Sequence, residues 1–330
     1  MTERSSLFAP LGRPNGSWSR AIPRGTLAFM GALTVTYLGV LVAVQRGRMT
    51  PNENSAAIFI YLAGSMWPWA AVVVGLVAAW RFARKPARLI EGAVLMLCLI
   101  VNEEAYAAGR GWHGHNVFFL GAALFGWLSG LAAARLAGLQ QRQGRAAAEL
   151  FAEYGAVGAI GAIYTMAGMT KLAAQSWIMP SGDNLRPIVL AHTWVDGQGL
   201  MAWYGNMVGN HGALADLMML GVVLIEGLGV MYLFGERMRL LWGSLFIFFH
   251  VNAFFLLHIF YPEPIIIVAS LTYPWPRLFS KLQRPSFVDP RAGLEHKQTF
   301  RALAIVAGVL MLLALIATLH PYYGYPMPKG

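Results

Sequence analysis

Residues 151–173, FAEYGAVGAIGAIYTMAGMTKLA, are long and apolar enough to cross a bilayer, yet they carry a lysine, Lys171, near the end where a membrane helix leaves the hydrocarbon. At helical spacing Gly161, Tyr164, Gly168 and Lys171 fall along one face, which Gln175 continues. A stripe of small residues of this kind lets two helix backbones approach closely. Lys171 is therefore in register with a packing face, where an interfacial anchor would turn to lipid. Against this, lysines near helix ends commonly snorkel their ammonium to the interface at little cost. Whether Lys171 is an anchor or a reagent is the question that the rest of the chain has to answer.

Outward from this segment the same character continues. Of the 330 residues 57% are hydrophobic and 12% charged, against roughly 25% charged in soluble proteins. The chain reads as an integral membrane protein with one membrane domain. Clear spans fall near 25–44, 57–80, 115–137, 151–173, 212–234, 238–259 and 299–319. Two weaker ones are 88–108, which ends in Asn102, Glu103 and Glu104, and 262–275, which is short and bracketed by prolines like a half-helix or a strongly tilted segment. The predicted fold class is an all-α polytopic membrane protein of about eight to nine transmembrane helices. Its expected organisation is a cytoplasmic tail over 1–24, a single transmembrane domain over 25–320 and a short outer tail over 321–330. The first span, preceded by a long polar stretch, is expected to be retained rather than cleaved as a signal.

The net charge of +10 finds its explanation in where the basic residues lie. If all nine segments cross, nineteen of the 25 Lys and Arg residues fall on one side. The other side holds Arg46, Arg48, Arg110, Lys171, Arg186 and Lys329. By the positive-inside rule the N-terminus is cytoplasmic, and the basic loops meet anionic lipid rather than nucleic acid. Groups capable of chemistry show the opposite bias. His113, His115, His192, His211, His258 and His320 lie on the outer side with Glu103, Glu104, Asp183, Asp196, Asp216 and Glu263. The connection 175–211 is too apolar for a solvated loop and predicts short interfacial helices folded back as a lid, with Trp177, Trp194 and Trp203 at headgroup level. Residues 137–150 read as a polar cytoplasmic connector.

Three further residues stand out. His250, in FIFFHVNAFFLLHIF, is ringed by phenylalanines mid-span and needs hydrogen-bond partners, with Asn252 or a neighbouring helix to supply them. His258 follows two turns on, along the same broad face. Glu226, in GVVLIEGLGV, is the costliest residue by location and must be protonated or paired, with His250 or a nearby arginine as its expected partner. Asp216 starts the same segment and is cheaper to keep ionised. For all of these, adhesion between helices is the alternative to chemistry. No metal site is expected, because the cluster 102–115 lacks the HExxH or ExxH spacing. The single cysteine, Cys98, excludes an intrachain disulfide. Nothing suggests a phosphate-cradling loop or a Ser-His-Asp elbow.

The order of these features resembles the membrane domain of vitamin K-dependent gamma-glutamyl carboxylase and its bacterial relatives, the HTTM family. The elements that carry the resemblance are AGMTKL followed by Trp177, an outer segment with Trp194, ALADLMMLGVVLIEGL, the pair Glu236 and Arg237, and FHVNAFFLLHIFYPEPIIIVAS. They cover about residues 150–275. The resemblance implies a membrane-embedded site that takes a reduced, vitamin K-like quinone as cofactor. It makes Lys171 the base that deprotonates the hydroquinone; from its depth in the span His250 reads as a second catalytic, proton-transfer group, with Tyr164, Trp177, Asp216, Glu226 and His258 about the substrate. In the family, oxygen then yields an epoxide and a strong base, which takes a proton from a glutamate before carbon dioxide adds. A protein or peptide substrate would follow, beside membrane lipid and the quinone as partners.

Two departures bear on this. Thr170 and Lys171 stand where the carboxylase has two lysines, and only a final span and the tail HPYYGYPMPKG follow the membrane domain, where the carboxylase has a large soluble region. The sequence therefore leaves two readings open: quinone-linked carboxylase or epoxidase-like chemistry, and a non-catalytic membrane subunit or lipid-binding scaffold.

Overall fold

The computed structural model describes residues 21–44, 66–110, 115–143, 145–174, 181–196, 199–257 and 261–275. Within them the chain is helical, with no strand. The helices are α1 (Ala21–Val44), α2 (Trp67–Arg84), α3 (Leu89–Arg110), α4 (His115–Leu136), α5 (Leu139–Gln143), α6 (Arg145–Ala174), α7 (Leu185–Asp196), α8 (Gly199–Asn210), α9 (Gly212–Gly227), α10 (Gly235–Leu257) and α11 (Pro262–Thr272). Two 3₁₀ turns, Gly182–Asn184 and Gly229–Leu233, precede α7 and follow α9.

Four of these helices are long and apolar enough to cross a membrane: Ala21–Ala43, Val117–Leu136, Ala147–Ala173 and Gly235–Leu257. A fifth crossing results if α8 and α9, bent by 99° at His211, count as one broken span. The all-α membrane class is thus the architecture observed. α1 opens at Ala21, ahead of the expected 25, with Pro23 in its first turn, a position where the missing N–H costs nothing. The expected connector 137–150 is itself mostly helical, because α6 starts at Arg145 and runs for 30 residues. α11 has 11 residues, a rise of about 16 Å, roughly half the hydrocarbon thickness. It has the length of a half-helix. The expected span 299–319 lies outside the described residues.

The segment expected as one span over 212–234 is broken at Gly227. Gly168 of α6 packs so closely on the Gly227 backbone that a Cβ on it would collide, and Gly161 lies similarly against the Gly229 carbonyl. Backbone groups freed by the break find side-chain partners, as burial away from water requires. The Val230 N–H donates to Thr165 Oγ1 at 2.9 Å, and Trp242 Nε1 donates to the Ile225 carbonyl at 3.2 Å. α4 and α6 meet still more intimately. A Cβ on Gly126 would run into the Gly155 carbonyl and one on Gly130 into that of Phe151. Around this contact the main core gathers Trp127, Leu120, Leu124, Ala152, Ile160 and Tyr164, all at most 1% exposed.

At one end of the bundle two buried ion pairs tie other helices to α6. Arg24 of α1 donates to Glu149, and Arg239 of α10 donates to Glu153 at 2.5 Å while covering the Tyr154 ring. At the other end a smaller core of Val189, Val208, Ala215 and Leu256 packs α7 and α8 onto α9 and α10. The expected lid segment is therefore short helices. Trp203 on α8 is 61% exposed. Trp177 lies outside the described residues.

Candidate functional site

The site grows from one face of α6. Its glycines bring α9 and the following 3₁₀ turn into backbone contact, with Tyr164 within that contact and Lys171 just beyond Gly168. Lys171 Nζ donates to Glu226 Oε2 at 2.5 Å. The two partners differ in burial: the Lys171 side chain is 38% exposed and that of Glu226 4%. The expected partner of Glu226, His250 or an arginine, is corrected by this contact. Arg239 of α10 is engaged by Glu153 instead. Lys171 reaches Glu226 because Gly168, one turn earlier, removes the bulk that would hold the helices apart.

Seven residues before Lys171, about 10 Å along the helix, Tyr164 Oη lies 2.6 Å from His250 Nε2. Both residues are buried, at 1% and 5% exposed. Tyr164 stacks on Phe246 with ring centroids 3.7 Å apart and planes at 10°. Phe119, Phe249 and Tyr261 surround the imidazole with centroids 5.6, 5.1 and 6.0 Å away. Such edge-on aromatic packing fixes the ring plane. Asn252, the partner expected for His250, instead accepts a hydrogen bond from Tyr204 of α8 at 2.7 Å. His250 Nδ1 is buried and has no hydrogen-bond partner among the described residues. Gly168 packs on the Gly227 backbone and Gly229 lies against the Tyr164 side chain, so both polar pairs border the same helix crossing.

Asp216 is not part of it. Its carboxylate accepts the Gly182 N–H at 2.6 Å and so secures the 3₁₀ turn before α7. Trp177 and His258 lie outside the described residues. Of the seven residues named from sequence, the structure therefore brings together four: Tyr164, Lys171, Glu226 and His250.

One buried polar group was missed: Glu263, in the first turn of α11, is 2% exposed, and neither of its oxygens has a hydrogen-bond partner among the described residues. Beside Glu103, Asn102 donates to the Val35 carbonyl at 2.9 Å. The sequence placed Glu103 and Glu263 on the outer side but held no signal that both would be buried, since burial depends on helices far apart in the chain.

Fold and site together define an all-α membrane protein with a buried Tyr–His pair and a Lys–Glu pair at a broken-helix crossing. No family model, curated protein or solved structure matches the chain.

Proposed function

We propose that this chain is an HTTM-type protein of the bacterial inner membrane, with eight to nine crossings and a cytoplasmic N-terminus, that binds a reduced quinone or similar isoprenoid lipid between Lys171 and His250. The observation that carries the reading is the Lys171–Glu226 pair. Ionisable groups inside membrane segments are costly and mark sites of proton or ligand handling more often than adhesion. The neighbouring residues fit such a ligand. His250 Nδ1 is a buried hydrogen-bonding atom with no partner among the described residues, and the Phe119, Phe249 and Tyr261 rings around it suit a flat aromatic headgroup.

A reduced quinone supplies two weakly acidic hydroxyls and a redox-active ring. The chain supplies the rest. Lys171 Nζ would serve as the base after passing its own proton to Glu226, 2.5 Å away; the neutral amine would then take the proton of a quinol hydroxyl, while His250, held by Tyr164, would orient the ring through Nδ1. Closely packed apolar helices exclude water from Glu226 and His250, which are 3% and 5% exposed. By analogy with the carboxylase, the chemistry is that of a quinone-dependent oxidoreductase or lyase.

A second reading has its own observation. Lys171 and Glu226 satisfy each other, and Tyr164 ties α6 to α10, as expected of a non-catalytic scaffold whose polar residues only join helices. Purified protein supplied with reduced naphthoquinone, oxygen and labelled bicarbonate separates the two. The proposal expects bound quinone and oxygen-dependent epoxide from wild type, with turnover lost at least about a hundredfold in Lys171→Ala, the lower range for removing a general base. Equal epoxide from both proteins removes Lys171 from the reaction. Failure of wild type to retain any quinone leaves the scaffold reading.

A further inference from the structure

At the end of the bundle opposite Lys171, four helix ends enclose an open groove of about 650 Å³. Each contributes an arginine: Arg81 from the last turn of α2, Arg88 just ahead of α3, Arg135 from the last turn of α4 and Arg145 at the start of α6. Against these four guanidiniums the lining carries one carboxylate, Glu91, 2.8 Å from Arg88 and 3.9 Å from Arg81. The groove therefore keeps a surplus of three positive charges.

The rim is built into the fold. The turn from α2 to α3 passes through Ala87 at φ +57°, a left-handed conformation that a residue with a Cβ adopts only when its surroundings hold it there. Arg135 Nη2 donates to the Ala87 carbonyl at 3.1 Å and so ties that turn to α4. Below the rim the wall changes character. Val73, Val77 and Ile90 line the groove and are 62, 52 and 69% exposed. They continue the exposed apolar faces of α2 and α3, which carry Val74, Trp80, Leu97 and Ile100. An aliphatic wall running into an arginine rim matches a molecule with an anionic head and hydrocarbon tails.

We propose that this groove is a binding site for an anionic phospholipid, with its phosphate among Arg81, Arg88, Arg135 and Arg145 and an acyl chain along Val73, Val77 and Ile90. Basic pockets between the ends of membrane helices select anionic headgroups in this way, and guanidinium forks suit phosphate oxygens. Charge also selects against a second copy of the chain, whose own rim would set four more arginines against these. The inference does not depend on the quinone reading.

The test uses the full-length protein in detergent, titrated with phosphatidylglycerol, phosphatidylcholine or inorganic phosphate. Lipid retention is read by native mass spectrometry and stability by the thermal unfolding midpoint. Phosphatidylglycerol should bind about tenfold or more tightly than phosphatidylcholine, and Arg81→Gln with Arg145→Gln should abolish that preference. Both side chains are exposed, so an unchanged midpoint in phosphatidylcholine verifies that the double variant is folded. Arg84→Gln should keep the preference, since Arg84 lies at the same end but covers Trp80 at 4.2 Å outside the groove. Val77→Trp should block lipid retention. Equal binding of the two lipids, a full midpoint shift from inorganic phosphate alone, or a double variant with its preference intact would each overturn the proposal. Retention of no lipid by wild type overturns it too, in favour of a protein segment as the cover.

Discussion

Lys171 and Glu226 are unequal partners, and the inequality sets what mutations should do. Removing Lys171 strands a carboxylate that is 4% exposed, whereas removing Glu226 leaves an ammonium that is more than a third open to its surroundings. Breaking a fully buried pair costs about 3–5 kcal/mol, discounted here for the open side of Lys171. Lys171→Met should therefore destabilise by about 1–3 kcal/mol, Glu226→Gln by less, and Lys171→Met with Glu226→Leu should recover most of the loss, as read by denaturant titration in detergent. A double variant as unstable as the sum of its parts would refute this account of the pair. Tyr164→Phe keeps the stack on Phe246 but leaves His250 with neither ring nitrogen paired. A loss of about 1–3 kcal/mol is expected, with a near-normal fold by circular dichroism. The lysine was legible as a packing-face residue because helical spacing set it in line with Gly161 and Gly168. Its partner was not, because Glu226 lies 55 positions away and His250 lies 86 from Tyr164.

Among the elements, α6 organises the bundle. Its 30 residues extend about 45 Å, enough to carry Glu149 and Glu153 at one end, Tyr164 midway and Lys171 at the other. Two of its faces are cut to backbone thickness, one by Gly155 against α4 and one by Gly168 against the end of α9. Gly155→Val should force α4 and α6 apart and cost about 3 kcal/mol or more, seen as a large drop in the thermal midpoint. Gly158→Ala, whose added carbon meets only the Leu233 side chain at 3.6 Å, should be close to neutral. Equal effects at the two positions would mean that the helix crossing is not set by the glycine. The stripe was readable from periodicity. The break at Gly227 was not, since the apolar run 212–234 continues through it unmarked except by glycine, and the cause is the approach of α6 from elsewhere in the chain.

For the whole molecule, the arrangement of ends makes a topological prediction. Arg84 and the arginine groove lie at one end of the bundle, and Lys171 and the turn at Asp183 at the other. In a Cys98→Ser background, Asp183→Cys should react with a membrane-impermeant maleimide on intact spheroplasts, and Arg84→Cys only after permeabilisation. Both positions are exposed, so the reverse pattern would invert the orientation drawn from the basic residues. Sequence alone determined that the chain is an all-α membrane protein, because in hydrocarbon every backbone polar group needs a local partner and only helices provide one within each apolar run. It also determined which face of α6 could pack closely, through a period that any helix must obey. Tertiary structure alone decided which buried charge meets which, where the apolar run 212–234 breaks into a 3₁₀ turn, and that four arginines from four helix ends share one groove. Those outcomes depend on contacts between distant segments, and no local periodicity encodes them.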